Sequence, residues 1–168
     1  NIQAGTYDDP VALGQVYGAS ATNTITFQSD DANADSVIWE STDNSSGTNY
    51  VLMLNGSDHI KLKHITLKNV NNTYSRKLVL SGIADSISVD SCTFLGKYQA
   101  GSQNIHSAIF GSTIDASGFK IKNSTFTYGG SYAIYLNGNN SSSSPTGLEI
   151  SGNTFTNTYN GIYLQYYD

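Results

Sequence analysis

Charge is what this chain has least of: 12% of its 168 residues are charged, with eight Lys and Arg against thirteen Asp and Glu. Phosphate neutralisation needs clustered basic residues, so this composition excludes a nucleic-acid surface. The one cysteine, Cys92, excludes an internal disulfide. Its setting, Val89-Asp90-Ser91-Cys92-Thr93-Phe94, reads as a small hydrophobe turned inward from a strand edge rather than as a nucleophile. No apolar run is long enough to span a bilayer, and no signal peptide is present. The chain begins at Asn1 without Met, which reads as a mature product or an excerpt of a longer solenoid. Almost nothing carries a helical period.

What fills the chain instead is Asn, Ser, Thr and Gly between apolar positions, with twelve Tyr and six Phe. That is ample apolar side chain for a packed core, so the segment is not disordered. Its length fits a single domain, residues 1–168. Polar, tyrosine-rich and lysine-poor composition points to the outside of a cell.

The core is written as a repeat. Four segments share an apolar, any, apolar pattern followed by polar residues and a further apolar one: Ile60-Lys-Leu-Lys-His-Ile-Thr-Leu67, Ile87-Ser-Val-Asp-Ser-Cys-Thr-Phe94, Phe119-Lys-Ile-Lys-Asn-Ser-Thr-Phe126 and Leu148-Glu-Ile-Ser-Gly-Asn-Thr-Phe155. Between them runs a second series: Leu52-Met-Leu54, Leu78-Val-Leu80, Ala108-Ile-Phe110, Ile134-Tyr-Leu136 and Ile162-Tyr-Leu164. Both series advance by 26 to 32 residues. Extrapolated backwards, Ile25-Thr-Phe27 precedes Leu54 and Val37-Ile-Trp39 precedes Leu67. Each unit thus holds three short strands joined by Gly, Asn and Ser turns. They are too short and too regularly spaced for hairpins, and stacking each on its equivalent one period later predicts three parallel sheets around one core, rising by about 4.8 Å per coil. The Ser-rich insert 139–145 and residues 97–106 are expected to bulge outward. A β-sandwich would leave the recurrence of Thr125-Phe126 as Thr154-Phe155 unexplained.

Leu148-Glu-Ile-Ser-Gly-Asn-Thr-Phe155 and Phe119-Lys-Ile-Lys-Asn-Ser-Thr-Phe126 resemble the hydrophobic-x-hydrophobic-x-x-Asn-x-Phe repeat of the right-handed parallel β-helix superfamily typified by pectate lyases. The opening Ile2-Gln-Ala-Gly-Thr-Tyr7 with Val11-Ala-Leu13 is similar to the first coil of such proteins. The resemblance covers nearly the whole chain. It implies an all-β, right-handed, single-stranded parallel β-helix of about six coils, of secreted bacterial type. It does not imply one activity, because lyases, hydrolases, esterases, epimerases, tailspikes and adhesins share the scaffold.

Catalytic signatures of the superfamily are not assembled here. Of the motifs of polygalacturonase-like hydrolases only Asp-Asp pairs occur, and Asp8-Asp9 and Asp30-Asp31 lie in turns rather than on the repeated strands, where a turn-forming role is expected. The one arginine, Arg76, has Lys77 beside it but no stacked carboxylates of the kind a lyase needs around Ca²⁺. His59, His64 and His106 have no metal-ligand spacing, and turn or edge roles are expected for His59 and His64. No catalytic residue, metal or cofactor is therefore assigned. The outward residues Lys63, Asp90 and Lys122 alternate in sign along one sheet, which favours register rather than chemistry.

A second outward column is different. If Leu54, Leu80, Phe110, Leu136 and Leu164 point inward, then Met53, Val79, Ile109, Tyr135 and Tyr163 form an apolar stripe on a face that should be wet, and monomers seldom expose one. These five are the expected interface, covered by copies of the chain or by a flanking segment. Tyr132, Tyr135, Tyr159, Tyr163 and Tyr166 are the expected platform if the partner is instead a polysaccharide. The solenoid also lacks a visible cap, which would invite further layers. Asn44, Asn55, Asn71, Asn123, Asn139 and Asn140 stand in Asn-x-Ser/Thr sequons, and Ser36 and Ser86 lie in Asp-Ser-Val and Asp-Ser-Ile triplets like the O-glycosylation motif of secreted Bacteroidetes proteins. Together these features suggest a non-catalytic, extracellular or cell-surface bacterial protein with a structural or adhesive role. A carbohydrate-binding module is the alternative, as is a polysaccharide lyase or hydrolase whose active site is incomplete in this chain.

Overall fold

Left-handed corners cut this chain into strands. In the computed structural model, which describes residues 1–43, 45–139 and 144–168, His59, Ser86, Gly118 and Gly147 hold positive φ at the same point of successive repeats. His64, Ser91, Asn123 and Gly152 do the same five residues later. A left-handed residue swings extended backbone sharply aside, at little cost for Gly and a modest one for Asn. Each eight-residue motif is therefore two strands meeting at a corner, and His59 and His64 are corner residues.

The strands stack in three parallel sheets. Sheet 1 holds β1 (Gly5–Asp8), β4 (Val37–Glu40), β7 (Thr66–Lys68), β10 (Thr93–Leu95), β13 (Thr125–Thr127) and β16 (Thr154–Thr156). Sheet 2 holds β2 (Val11–Leu13), β5 (Leu52–Asn55), β8 (Leu78–Ser81), β11 (Ile109–Ile114), β14 (Tyr132–Gly138) and β17 (Asn160–Gln165). Sheet 3 holds β3 (Ile25–Gln28), β6 (Ile60–Lys63), β9 (Ser88–Asp90), β12 (Lys120–Lys122) and β15 (Glu149–Ser151). The fold is a parallel β-solenoid of five complete rungs and the first two strands of a sixth, where the repeat predicts about six coils.

Every pairing joins a strand to its equivalent one rung away, so the interior is built of columns. Trp39, Leu67, Phe94, Phe126 and Phe155 line up inside sheet 1. Phe94 and Phe126 stack with ring centroids 4.7 Å apart, Phe126 and Phe155 at 4.9 Å. Phe27, Leu62, Val89, Ile121 and Ile150 form the column of sheet 3. Cys92 is buried, and burial pushes its thiol up to about 12, which fits a packing residue.

Two sequence expectations are corrected by the register. Ile25-Thr-Phe27 does not precede Leu54; it lies in sheet 3 with Ile25 opposite Ile60, and Val11–Leu13 is the strand beneath Leu52–Leu54. The long connections 14–24 and 41–51 stretch the early period, so a fixed step lands on the wrong strand. In rung four the inward and outward residues are exchanged. Ile109 pairs with Leu78 and Ile134 and is fully buried, whereas Phe110 pairs with Val79 and Tyr135 and faces out. Gly111 takes the interior place between Leu80 and Leu136, and a bulge between Ser112 and Ile114 turns Ile114 back to fill the space a side chain would occupy. A one-residue slip reverses every side chain of a strand, and an interior glycine hides that slip from a search for apolar positions.

Candidate functional site

The three outer faces differ in chemistry. Sheet 3 presents Lys61, Ser88, Lys120 and Glu149 in one column and Lys63, Asp90, Lys122 and Ser151 in the next. The alternation of Lys63, Asp90 and Lys122 holds in register, but the close ion pair joins Lys122 to Glu149 at 2.7 Å, and Asp90 accepts from Asn123 and Ser91. Sheet 1 turns Thr93, Thr125 and Thr154 outward, in a column whose Thr66 is buried and donates to the Ala34 carbonyl. Sheet 2 alone carries an apolar column: Ala12, Met53, Val79, Phe110, Tyr135 and Tyr163.

In its upper half this column is a ladder of rings. Phe110 and Tyr135 stack at 5.5 Å, Tyr135 and Tyr163 at 4.6 Å and 7° apart. Tyr132 meets Tyr135 and Tyr163 edge-on, at 5.3 and 5.9 Å. Crowding by these rings raises the Tyr163 phenol above its ordinary pKa, by desolvation first and then by the phenols of Tyr135, Tyr132 and Tyr166; its hydroxyl donates to Gln165 Oε1 at 2.8 Å. Of the expected interface, Met53, Tyr135 and Tyr163 are half-buried on this face. Val79 is on it too but only 6% exposed, and Ile109 is replaced by Phe110. Of the expected platform, Tyr132, Tyr135 and Tyr163 come together; Tyr159 and Tyr166 are exposed outside the stack.

The foot of the ladder is covered by Arg76, whose guanidinium carbon lies 3.3 Å from the Phe110 ring centroid. Arg76 Nε and Nη2 donate to the backbone oxygen and Oδ1 of Asn104, at 3.0 and 2.9 Å. Such a cation over an aromatic face gains more as water is excluded, and burial lowers the Arg76 pKa to about 10. Asn104 belongs to a short 3₁₀ turn, Asn104–His106, in the corner segment 96–108 that joins β10 to β11.

Under the same corner lies a group that the periodic pattern does not single out. Lys77 immediately precedes β8, in the column otherwise held by Val51, Ala108 and Ala133, and all four are fully buried. Its ammonium has no hydrogen-bond partner among the described residues, and burial lowers its pKa to about 7. The side chain runs to Gly96, where an added Cβ would meet Lys77 Cε at 2.9 Å and collide with Lys77 Nζ and the Tyr128 carbonyl. Gly96→Ala is accordingly expected to cost about 1–3 kcal/mol, as overpacking does, and to lower the denaturant midpoint. Equal substitutions at Gly14 or Gly161, where no atom stands near, are expected to be mild by comparison. The signal for Lys77 was available: a lysine where neighbouring repeats carry Val or Ala.

The acidic pairs and candidate modification sites lie in turns and corners. Asp31 accepts hydrogen bonds from the Ser29 and Ser36 hydroxyls and the Asn33 amide, which hold its carboxyl down at about 2. The Ser36 hydroxyl is thereby engaged within a turn, while Ser86 is exposed at a left-handed corner. Asp8 contacts Thr42, and the Asp9 carbonyl accepts from Trp39 Nε1 at 3.3 Å. Asn71 Nδ2 donates to the Asp43 carbonyl. Sequons Asn44 and Asn140, and most of the Ser-rich insert, lie outside the described residues. No group of three metal-ligating side chains occurs among the described residues, and no helix is long and apolar enough to cross a membrane.

The class defined by this fold is a parallel β-solenoid with one aromatic lateral face. No family model, curated protein or solved structure matches the chain.

Proposed function

We propose that this chain is a structural or adhesive solenoid, non-catalytic and working at the outside of a bacterial cell, and that copies of it associate through the outer face of sheet 2. The resemblance of its repeats to the right-handed, pectate-lyase-like β-helices supports the secreted setting. The observation that carries the proposal is the contrast among faces: sheets 1 and 3 expose hydroxyls and charges, whereas sheet 2 carries Met53, Phe110, Tyr135 and Tyr163 in one line. An apolar line of this kind is a surface to be covered, and two copies related by a two-fold axis would cover each other's.

Ring geometry favours a second copy over a sugar. Stacking on a pyranose uses the face of an aromatic ring, and in this ladder the faces between Phe110, Tyr135 and Tyr163 are spent on one another, leaving edges and hydroxyls outward. Edges suit interdigitation with other edges. Sedimentation of the wild-type chain over a concentration series is expected to show dimers or larger species, and Tyr135→Ser with Tyr163→Ser to return it to monomer. A wild-type chain that stays monomeric at the highest concentrations would remove the proposal. Clustering of Tyr132, Tyr135 and Tyr163 supports polysaccharide binding as the second reading; retention on insoluble glycans that falls in Tyr135→Ala and Tyr163→Ala would favour it.

A further inference from the structure

We infer that the corner segment 96–108 is a proton-sensitive cover over the lower end of the aromatic face, with buried Lys77 as its trigger. The inference rests on the sheet 2 face being the association surface.

The cover is held to the rung below by named bonds. Arg76 grips Asn104 through two hydrogen bonds, the Ser75 amide donates to the Ile105 carbonyl at 3.1 Å, and Asn49 Nδ2 donates to the same carbonyl at 3.0 Å. Ser75 Oγ meets His106 Nδ1 at 3.1 Å, and Lys97 Nζ donates to Asn72 Oδ1 at 2.6 Å. Because Arg76 caps Phe110 and is oriented by Asn104, lifting this segment releases Arg76 and bares the ring.

Two cationic groups, Arg76 and Lys77, lie beneath it, and His106 belongs to the cover itself. From its own rung Lys77 is flanked by Arg76; from the rung above it meets Gly96, and His106 senses its charge; the Tyr128 carbonyl bounds the niche. The Tyr135 phenol acts on Arg76, and among the described residues no carboxylate forms an ion pair with any of the three. A carboxylate would hold the charges in place. Without one, desolvation keeps Lys77 from holding its proton, and desolvation followed by Lys77 and Arg76 keeps His106 below its ordinary pKa.

The sign follows from linkage. An open corner lets Lys77 titrate at its usual 10.5, while the closed corner holds it at about 7. Opening therefore takes up a proton anywhere between these values. The opening constant should grow about tenfold for each unit the pH falls through that window and level off below it. His106 adds a second rise below its ordinary value of 6.5.

The test is amide hydrogen exchange on the intact chain, with protection factors corrected for intrinsic rates. Protection of the amides of 104–108 is expected to fall about tenfold per unit between about pH 9 and about pH 7 and to lie below that of β9 and β12 throughout, because the corner opens without the core. Lys77→Met should abolish the slope. A flat wild-type profile, or an equal slope in Lys77→Met, overturns the inference. Should that variant fail to fold, the side-chain carbon resonances of the seven lysines decide: one must titrate near neutrality, and seven ordinary titrations overturn the trigger. Sedimentation at alkaline pH, with the cover closed, tests the aromatic face separately. Association lost in Tyr163→Ser with a flat exchange profile retains the face and discards the cover.

Discussion

Lys77→Met is expected to make the protein more stable at neutral pH by several kcal/mol. The wild-type side chain is fully buried, its ammonium has no partner among the described residues, and its pKa falls from 10.5 to about 7. At 1.36 kcal/mol per pKa unit, the cost of placing Lys there is about 4–5 kcal/mol as an upper figure. Met has nearly the same length, needs no proton or hydrogen bond, and fits the niche under Gly96. The gain has a definite pH dependence. Between about 7 and 10.5 the unfolded chain holds a proton on Lys77 that the folded chain does not, so wild-type stability rises with pH across that window and the penalty is fully present below it. Denaturant midpoints at about pH 7 and about pH 10 should therefore differ strongly in the wild type and little in the variant. A variant no more stable at neutral pH would mean that Lys77 is not desolvated.

Phe126→Ala is expected to be among the most damaging changes. Phe126 is fully buried and stacks on two rings at once, Phe94 below and Phe155 above. Removing a buried Phe costs about 3–5 kcal/mol through lost transfer energy and the cavity left behind. A solenoid adds a further consequence, because each rung touches only its neighbours and cooperativity passes through those interfaces. Breaking the stack at Phe126 is expected to separate rungs one to four from rungs five and six, so that denaturant unfolding gains a second, earlier transition. Phe155→Ala, with one stacking partner and partial exposure, should lower stability less and leave a single transition.

The sequence made the solenoid legible because its apolar columns are periodic. Leu67, Phe94, Phe126 and Phe155 recur in matched motifs, and the sheets follow once each motif is stacked on the next. It hid what departs from periodicity. Gly111 occupies an interior position without a side chain, and Ile114 fills the space from three residues further on, off the period. The aromatic face was legible in Met53, Val79, Tyr135 and Tyr163, and misread at Ile109 for the same reason. Lys77 was hidden differently: lysine in a polar-looking corner suggests solvent, whereas its column of Val51, Ala108 and Ala133 puts it inside. The first rung was blurred by the long connection 14–24, which breaks the regular step.

Trp39 is the only tryptophan and is anchored in rung two, beside Phe27 at 6.4 Å and hydrogen-bonded to Asp9. Tyr135 and Tyr163, stacked in rungs five and six, are close enough for exciton coupling in the near-ultraviolet. One cylinder thus carries two optical reporters at opposite ends. Tryptophan emission follows melting at one end and tyrosine circular dichroism follows it at the other, so the direction in which the solenoid frays can be read from a single heated sample without a label.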